Sequence, residues 1–369
     1  MPAQIDMAYF CATPFHVLVA LTMAASRKET ADMYLFGYTL SIKAYGERLK
    51  QCGLFRKVKY VDTATLREKW DKDTQSRLIR IFRRMKSYFH VDEIVKEILI
   101  PDTVYNCIAY GFSFIVFRWI LFFFQKQGME IRAIQFDDGA GAYSFGDRNE
   151  DVCERSLRDK VFCFLLSGRR ERIVVTKALF SPALYRDFHP GTTVEIEQIP
   201  RPVKDKKTLD ILKFVYGGRD KPLAIPQDII VFDAVKGNDM DDEGYEHFRE
   251  IIAVIAEKFG RERIYIKKHP RDPDGFHNAR NSLPFEVFCL HGDIGNKVLV
   301  SFLSTACLTP WLVFGQTPTV ILLHRLICGR VAYKGLSAFF DRMPKVYGQP
   351  DKVQIPNTLK ELRECLAAL

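Results

Sequence analysis

Residues 7–36 of the 369-residue chain read MAYFCATPFHVLVALTMAASRKETADMYLF, and this stretch decides the fold. Residues 7–11 predict a buried strand, and Pro14 favours the first turn of a helix, where its missing N–H is not needed. A helix over 15–25 and a second apolar strand over 33–36 follow. Strand, helix and strand in this order predict a parallel sheet with helices packed on its faces.

The same alternation extends outward through most of the chain. Further strands are predicted at 57–61, 104–110, 131–136, 228–232, 264–268, 297–302 and 319–323, with helices at 42–51, 66–89, 114–124 and 245–259. A Lys/Asp-rich stretch containing Gly217 and Gly218 interrupts the pattern, which is typical of a domain boundary. The sequence therefore predicts an N-terminal domain over 1–204, a linker over 205–225 and a C-terminal domain over 226–369. A last helix at 358–369 could cross back onto the first domain.

The predicted fold class is α/β, with two Rossmann-like domains facing a central cleft. One stretch, 103–125, resembles a membrane span because its only charge is Arg118. Gly111 and Ser113 break this run, however, and divide it into a strand and a buried helix. A transmembrane helix and a peripheral contact with a membrane surface are the alternatives.

Composition excludes several classes of protein and favours a globular protein of the reducing cytoplasm. Hydrophobic residues make up 47% and charged residues 27%, so a disordered chain or a small disulfide scaffold is excluded. The nine cysteines are scattered without zinc-binding spacing, and the first residues lack the features of a signal peptide. The net charge of +9 predicts an anionic partner such as a membrane face, an acidic sugar donor or nucleic acid. The basic residues cluster at Arg77, Arg80, Arg83, Arg84, Lys86, Arg169, Arg170 and Arg172.

Polar clusters follow three of the predicted strands, at the sheet edge where open α/β folds bind ligands. Asp137-Asp138-Gly139 places two carboxylates beside a flexible backbone, which suits a general base. His269 stands among Lys267, Lys268 and Arg271, where it can meet an anionic leaving group. Ser304-Thr305 opens a helix, where hydroxyl and N–H groups bind anions. The structural alternatives are an Asp-Gly turn, an exposed basic loop and an ordinary helix cap.

These motifs resemble those of the bacterial sialyltransferases, most closely glycosyltransferase family 52, which sialylates lipooligosaccharide and capsule. The acidic-acidic-Gly, His-Pro and Ser-Ser/Thr motifs stand in the family's order at Asp137, His269-Pro270 and Ser304-Thr305. Pro284-Phe285-Glu286-Val287 looks like the segment whose glutamate holds the donor's ribose, and Thr13-Pro14-Phe15-His16 suits a family-like beginning. The bacterial polysialyltransferases share the same short motifs.

The resemblance implies an inverting glycosyltransferase of the GT-B type that uses CMP-sialic acid and requires no metal or other cofactor. Asp137 would accept the proton of a galactose hydroxyl, with Asp138 as the alternative base. His269 would donate to the departing CMP phosphate, while Ser304 and Thr305 hold its oxygens. The remaining implied nucleotide-binding residues are Gly237, Lys268, Pro270 and Glu286.

Several alternatives stay open at this point. The acidic loop at 237–243 also follows a strand, so Asp242 or a neighbouring acid is a second source of the base. A polysialyltransferase that extends oligosialic acid is the alternative enzyme. A non-catalytic RNA- or membrane-binding protein is the alternative of another class, but few aromatic residues interleave with the basic ones, so no nucleic-acid partner is predicted. The resemblance further implies a galactose-terminated acceptor with α-2,3 linkage, a homodimer, and a cytoplasmic location that includes peripheral contact with the inner membrane.

Overall fold

The computed structural model describes residues 3–38, 40–70, 86–111, 115–144, 164–169, 173–217, 223–234, 242–268, 283–302, 304–327 and 334–369. The strands of the first sheet are β1 (Ala3–Cys11), β2 (Ala31–Phe36), β3 (Lys57–Val61), β4 (Thr103–Tyr110), β5 (Ile131–Phe136), β6 (Ile173–Leu179) and β7 (Glu195–Gln198). They pair in parallel in the order β3-β2-β1-β4-β5-β6-β7. This is the parallel sheet that the strand–helix alternation predicts.

The second sheet contains β8 (Ile229–Phe232), β9 (Ile264–Lys267), β10 (Val298–Ser301), β11 (Thr319–Leu322) and β12 (Val353–Gln354). These strands are also parallel, in the order β12-β11-β10-β8-β9. Two parallel α/β sheets confirm the predicted fold class.

Helices connect the strands of both sheets. In the described part of the chain they are α1 (Pro14–Ser26), α2 (Gly46–Gln51), α3 (Thr63–Trp70), α4 (Val91–Ile98), α5 (Ile115–Gln127), α6 (Ala140–Ser144), α7 (Pro182–Phe188), α8 (Lys206–Tyr216), α9 (Asp242–Phe259), α10 (Phe285–His291), α11 (Lys334–Val346) and α12 (Leu359–Ala367). Short turns of tighter helix include Leu40–Tyr45 and Thr305–Leu308, and the latter leads into a π-helix at Pro310–Phe314. The predicted helix at 66–89 lies partly outside the described residues.

The stretch that resembles a membrane span forms β4 and α5, as the glycine and serine breaks predict. Trp119 and Phe122 of α5 are fully buried in the core of the first sheet, where the indole N–H of Trp119 donates to Ser87 Oγ at 2.9 Å. Across the described segments, no helix has both the length and the apolar character needed to cross a membrane. Packing against β-strands therefore accounts for the apolar run.

The chain divides into two compact units. The N-terminal unit contains Met1–Asp138, Gly146–Pro182 and His189–Pro200, and the C-terminal unit contains Gly139–Phe145, Ala183–Phe188 and Arg201–Leu369. Two short segments that follow β5 and β6 thus belong to the C-terminal unit. There the rings of Tyr143 and Phe188 pack against Phe339 of α11, with centroids 6.2 Å and 5.0 Å away.

One feature of the C-terminal unit differs from the expectations. Where a linker was expected over 205–225, helix α8 covers Lys206–Tyr216, with Asp205 as its N-cap and Gly217 in the left-handed conformation at its end. The expected helix at 358–369 forms as α12. Leu362 and Leu366 of α12 are buried in the core that surrounds β8, β10 and β11.

Candidate functional site

The two adjacent carboxylates after β5 occupy different environments. Asp137 is 1% exposed, and its Oδ2 accepts a hydrogen bond from the Phe180 N–H at 3.2 Å, which ties the end of β5 to the end of β6. The Asp138 side chain is 33% exposed. A ligand can reach Asp138 directly, whereas Asp137 is enclosed. This geometry favours the second of the two acids as the base, and the choice between them stays a prediction for experiment.

His16 holds the Asp138 carboxylate in place. Its Nε2 lies 2.5 Å from Asp138 Oδ1, and its Nδ1 accepts the Ala12 N–H at 3.2 Å. Because Nδ1 acts as the acceptor, the ring proton resides on Nε2 and is donated to the carboxylate. The imidazole is 1% exposed and packs edge-on against Phe136. His16 therefore orients Asp138 and is shielded from any ligand.

The position of His16 follows from the start of α1. Thr13 is the N-cap of this helix, and its hydroxyl accepts the His16 N–H at 3.2 Å. This cap fixes the first turn, which places the imidazole above the carboxyl edge of the sheet. The Thr13-Pro14-Phe15-His16 segment stood out in the sequence, but nothing in it showed that the histidine contacts an acid 122 residues later.

Gly111 makes this contact possible. Strand β4 lies between β1 and β5, so His16 has to pass over the end of β4 to reach Asp138. Gly111 directly follows β4, and a Cβ atom added there would lie 2.5 Å from His16 Cε1 and 2.8 Å from its Cδ2. Any side chain at residue 111 would occupy the space of the imidazole. In the sequence, Gly111 stands out only as a break in an apolar run.

Two of the predicted motifs meet within the C-terminal unit. Gly139 has a φ of +79°, and a Cβ atom added there would lie 2.7 Å from Thr305 Oγ1. The acidic motif therefore needs glycine both for its backbone conformation and for its approach to the Ser-Thr motif. Ser304 caps the following turn, since its Oγ accepts the Ala306 N–H at 3.4 Å, and Ser301 Oγ accepts the Ser304 N–H at 2.8 Å. The Ser301 hydroxyl itself donates to the Ser304 carbonyl at 3.1 Å, whereas the accepting Ser304 hydroxyl retains its own proton for donation to an anion.

Lys267 and Glu286 form a second group of polar residues in this unit. Lys267 ends β9 and is 4% exposed, and its Nζ donates to the Lys268 carbonyl at 3.0 Å. Burial lowers the pKa of Lys267 to about 8, although the charge of Glu286 opposes this shift. Burial also raises the pKa of Glu286, which lies in the first turn of α10. Each of these two opposite charges works against the shift that burial causes in the pKa of the other.

The remaining predicted site residues are only partly covered by the structure. His269, Pro270 and Gly237 lie outside the described residues, as do most residues of the acidic loop. Asp242 is described, and it is exposed in the first turn of α9, where its negative charge interacts favourably with the helix dipole. Lys268 is half-buried at the end of β9. The proposed roles of these residues stay predictions.

Metal ligands were not expected from the sequence. Among the residues that the structure describes, no group of three or more His, Cys, Asp or Glu side chains is arranged to hold a metal ion. Whether the reaction needs a metal is tested by the assay proposed below.

Comparisons with solved structures identify the fold. The chain matches the crystal structure of CalG4, the calicheamicin glycosyltransferase, with a TM-score of 0.51 and 10% identity over 99% of this chain and 90% of that chain. It also matches the UDP-GlcNAc 2-epimerases of Methanocaldococcus jannaschii and of Neisseria meningitidis, the latter bound to UDP-GlcNAc. The first of these has a TM-score of 0.47 and 9% identity, over 98% of this chain and 92% of that chain. The second has a TM-score of 0.45 and 11% identity, over 96% of this chain and 95% of that chain. No protein-family model and no curated protein matches the chain. The first similarity confirms the predicted GT-B type of fold.

Proposed function

We propose that this protein is an inverting, metal-independent sialyltransferase that moves sialic acid from CMP-sialic acid to a galactose-terminated glycan. The observation that carries the proposal is the packing of Gly139 against Thr305, because it joins two short motifs that are distant in the sequence. Chance matches to a motif pattern have no reason to meet in the fold. The GT-B type of fold supports a nucleotide-sugar substrate.

Asp138 is the proposed general base. Its half-buried but accessible carboxylate takes the proton from an acceptor hydroxyl while that oxygen attacks the anomeric carbon of sialic acid. The new glycosidic bond forms as the bond between this carbon and the CMP phosphate oxygen breaks, which inverts the configuration. The proton of His16 remains on Nε2 throughout, so this residue fixes the direction of the carboxylate and takes no part in the transfer.

Residues of the C-terminal unit are proposed to bind and protonate the leaving group. CMP carries a single phosphate, and its oxygens can accept hydrogen bonds from the hydroxyls of Ser304 and Thr305. His269 is the proposed acid that meets the departing phosphate, with Lys268 and Pro270 beside it. Glu286 is the proposed partner for the ribose hydroxyls; burial raises its pKa, and the opposite charge of Lys267 works against this shift.

A mass-spectrometric transfer assay tests the function. The protein is incubated in EDTA with CMP-sialic acid and lactose, and in parallel with oligosialic acid as acceptor. Sialyl-lactose is the expected product, and it would establish the donor, the acceptor class and independence from metal together. Product only on oligosialic acid would make the protein a polysialyltransferase. No product on either acceptor, together with no binding of CMP, would refute the proposal.

A further inference from the structure

The carboxyl edge of the N-terminal unit's sheet has two exposed aromatic side chains far from Asp138. Tyr60 lies near the end of β3 and is 38% exposed, and Tyr38 follows β2 and is 43% exposed. Every other tyrosine in the described segments is buried or half-buried. Exposed aromatic rings beside a ligand-binding edge are typical of binding surfaces, since burial of a large ring is otherwise favourable.

The ring of Tyr60 is held in a fixed position. A Cβ atom added to Gly37 would lie 3.1 Å from Tyr60 Cζ and closer still to the phenol oxygen, so the ring rests directly against the Gly37 backbone. The Lys43 ammonium lies 5.3 Å from the ring centroid, within range of a cation–π interaction. Because this ring is already ordered, a ligand that packs against it does not have to immobilise the side chain, which lowers the entropy cost of binding.

The strand register places this surface in line with the candidate base. Tyr60 pairs with Leu35 of β2, and Leu35 pairs with Cys11 at the end of β1. In the next strands Phe10 pairs with Tyr110 and Tyr110 pairs with Gln135, so the row through Cys11 lies one residue further along and reaches β5 at Phe136, two residues before Asp138. Strands lie about 4.8 Å apart, so β2 and β3 are roughly 14 and 19 Å from β5. One hexose ring cannot bridge that distance, but a chain of several linked sugar rings can.

We propose that Tyr38 and Tyr60 form a subsite for the inner sugar rings of an oligosaccharide acceptor whose terminal galactose lies at Asp138. The proposal rests on the function proposed above. The C–H groups on one face of a pyranose ring pack against the negative face of an aromatic ring, while the sugar hydroxyls remain in water. Lys43 adds a donor for a hydroxyl or an acidic group of the same chain. The subsite therefore selects long acceptors over single sugars.

Two acceptors and three variants test the subsite. Transfer is measured to a galactose-terminated tetrasaccharide and to methyl β-galactoside, and direct binding of the tetrasaccharide is measured by saturation-transfer NMR. Tyr60→Ala should raise the KM for the tetrasaccharide about tenfold and weaken its NMR signals, with the KM for methyl β-galactoside unchanged. Tyr60→Phe keeps the ring and should behave like the wild type. Phe89→Ala removes a 61% exposed ring from another part of the unit and should change neither KM.

The outcomes separate the subsite from the proposed function. Equal effects of Tyr60→Ala on both acceptors, or no effect on either, would overturn the subsite while transfer itself stands. If the wild type transfers to neither acceptor but binds the tetrasaccharide in a manner that Tyr60→Ala abolishes, the subsite stands and the function falls. Absence of tetrasaccharide binding to the wild type would overturn the subsite. Thermal unfolding of each variant confirms that it is folded.

Discussion

Replacement of Gly111 by alanine should lower the rate of transfer by displacing His16, which positions the candidate base Asp138. The added Cβ would lie 2.5 Å from His16 Cε1, whereas unstrained heavy atoms stay about 3.5 Å apart, so the imidazole has to move by about 1 Å. The His16–Asp138 hydrogen bond of 2.5 Å would then lengthen to about 3.5 Å, the limit of a useful interaction. A displacement of this size at a reacting group lowers the rate about 10²-fold, or about 2.7 kcal/mol of activation free energy.

The assay compares kcat and KM for sialyl transfer, CMP binding and thermal unfolding. Gly111→Ala should lower kcat about 10²-fold and leave CMP binding unchanged, while overpacking lowers the free energy of unfolding by about 1–3 kcal/mol. Gly46→Ala is the matched control, because a Cβ atom there would meet only Leu35 Cδ1, at 3.9 Å. The double variant His16→Ala/Gly111→Ala should be as slow as His16→Ala alone, since the two changes act through one contact.

Two results would refute this reasoning. Wild-type stability and rate in Gly111→Ala would show that the imidazole does not lie over residue 111. A loss of stability with an unchanged kcat would show that the contact is real but that His16 does not position the base.

Three further predictions concern the acids, the glycine of the acidic motif and the effect of pH. Asp138→Asn should lower kcat at least about 10²-fold and keep CMP binding, whereas Asp137→Asn should mainly lower the melting temperature; the reverse result would make Asp137 the base. Gly139→Ala should reduce the free energy of unfolding by more than Gly53→Ala does. Both glycines have a positive φ, but only at Gly139 would the added Cβ meet a neighbouring atom, Thr305 Oγ1. Equal losses of unfolding free energy in the two variants, measured by denaturant unfolding, would contradict that contact. Burial lowers the pKa of His324 below 6.5, so the unfolded state binds more protons than the folded state at mildly acidic pH. The free energy of unfolding should therefore decrease as the pH falls below about 6.5. His324→Gln should flatten this decrease, and an unchanged pH profile of stability would exclude His324 as its source.

Local sequence patterns were sufficient for the fold. Strands such as β2 are buried along their whole length, so they appear as short apolar runs, and helices such as α1 begin at a cap and a proline that act on their own first turn. The alternation of these elements predicted two parallel α/β sheets, which the structure has. Over 205–225 the Lys/Asp-rich composition predicted a linker, although Asp205 and Gly217 are the N-cap and the C-cap of a helix there.

The sequence by itself also located the acidic and Ser-Thr motifs, since each follows a strand that its own residues define. Only the tertiary structure shows that Asp137 is buried and that Asp138 is accessible. It also shows that the His16 ring lies over Gly111 and hydrogen-bonds to Asp138. The physical reason is that periodicity and capping act over a few neighbouring residues. The order β1-β4-β5, in contrast, depends on packing across more than a hundred residues, and it is this order that brings the histidine, the glycine and the acid together.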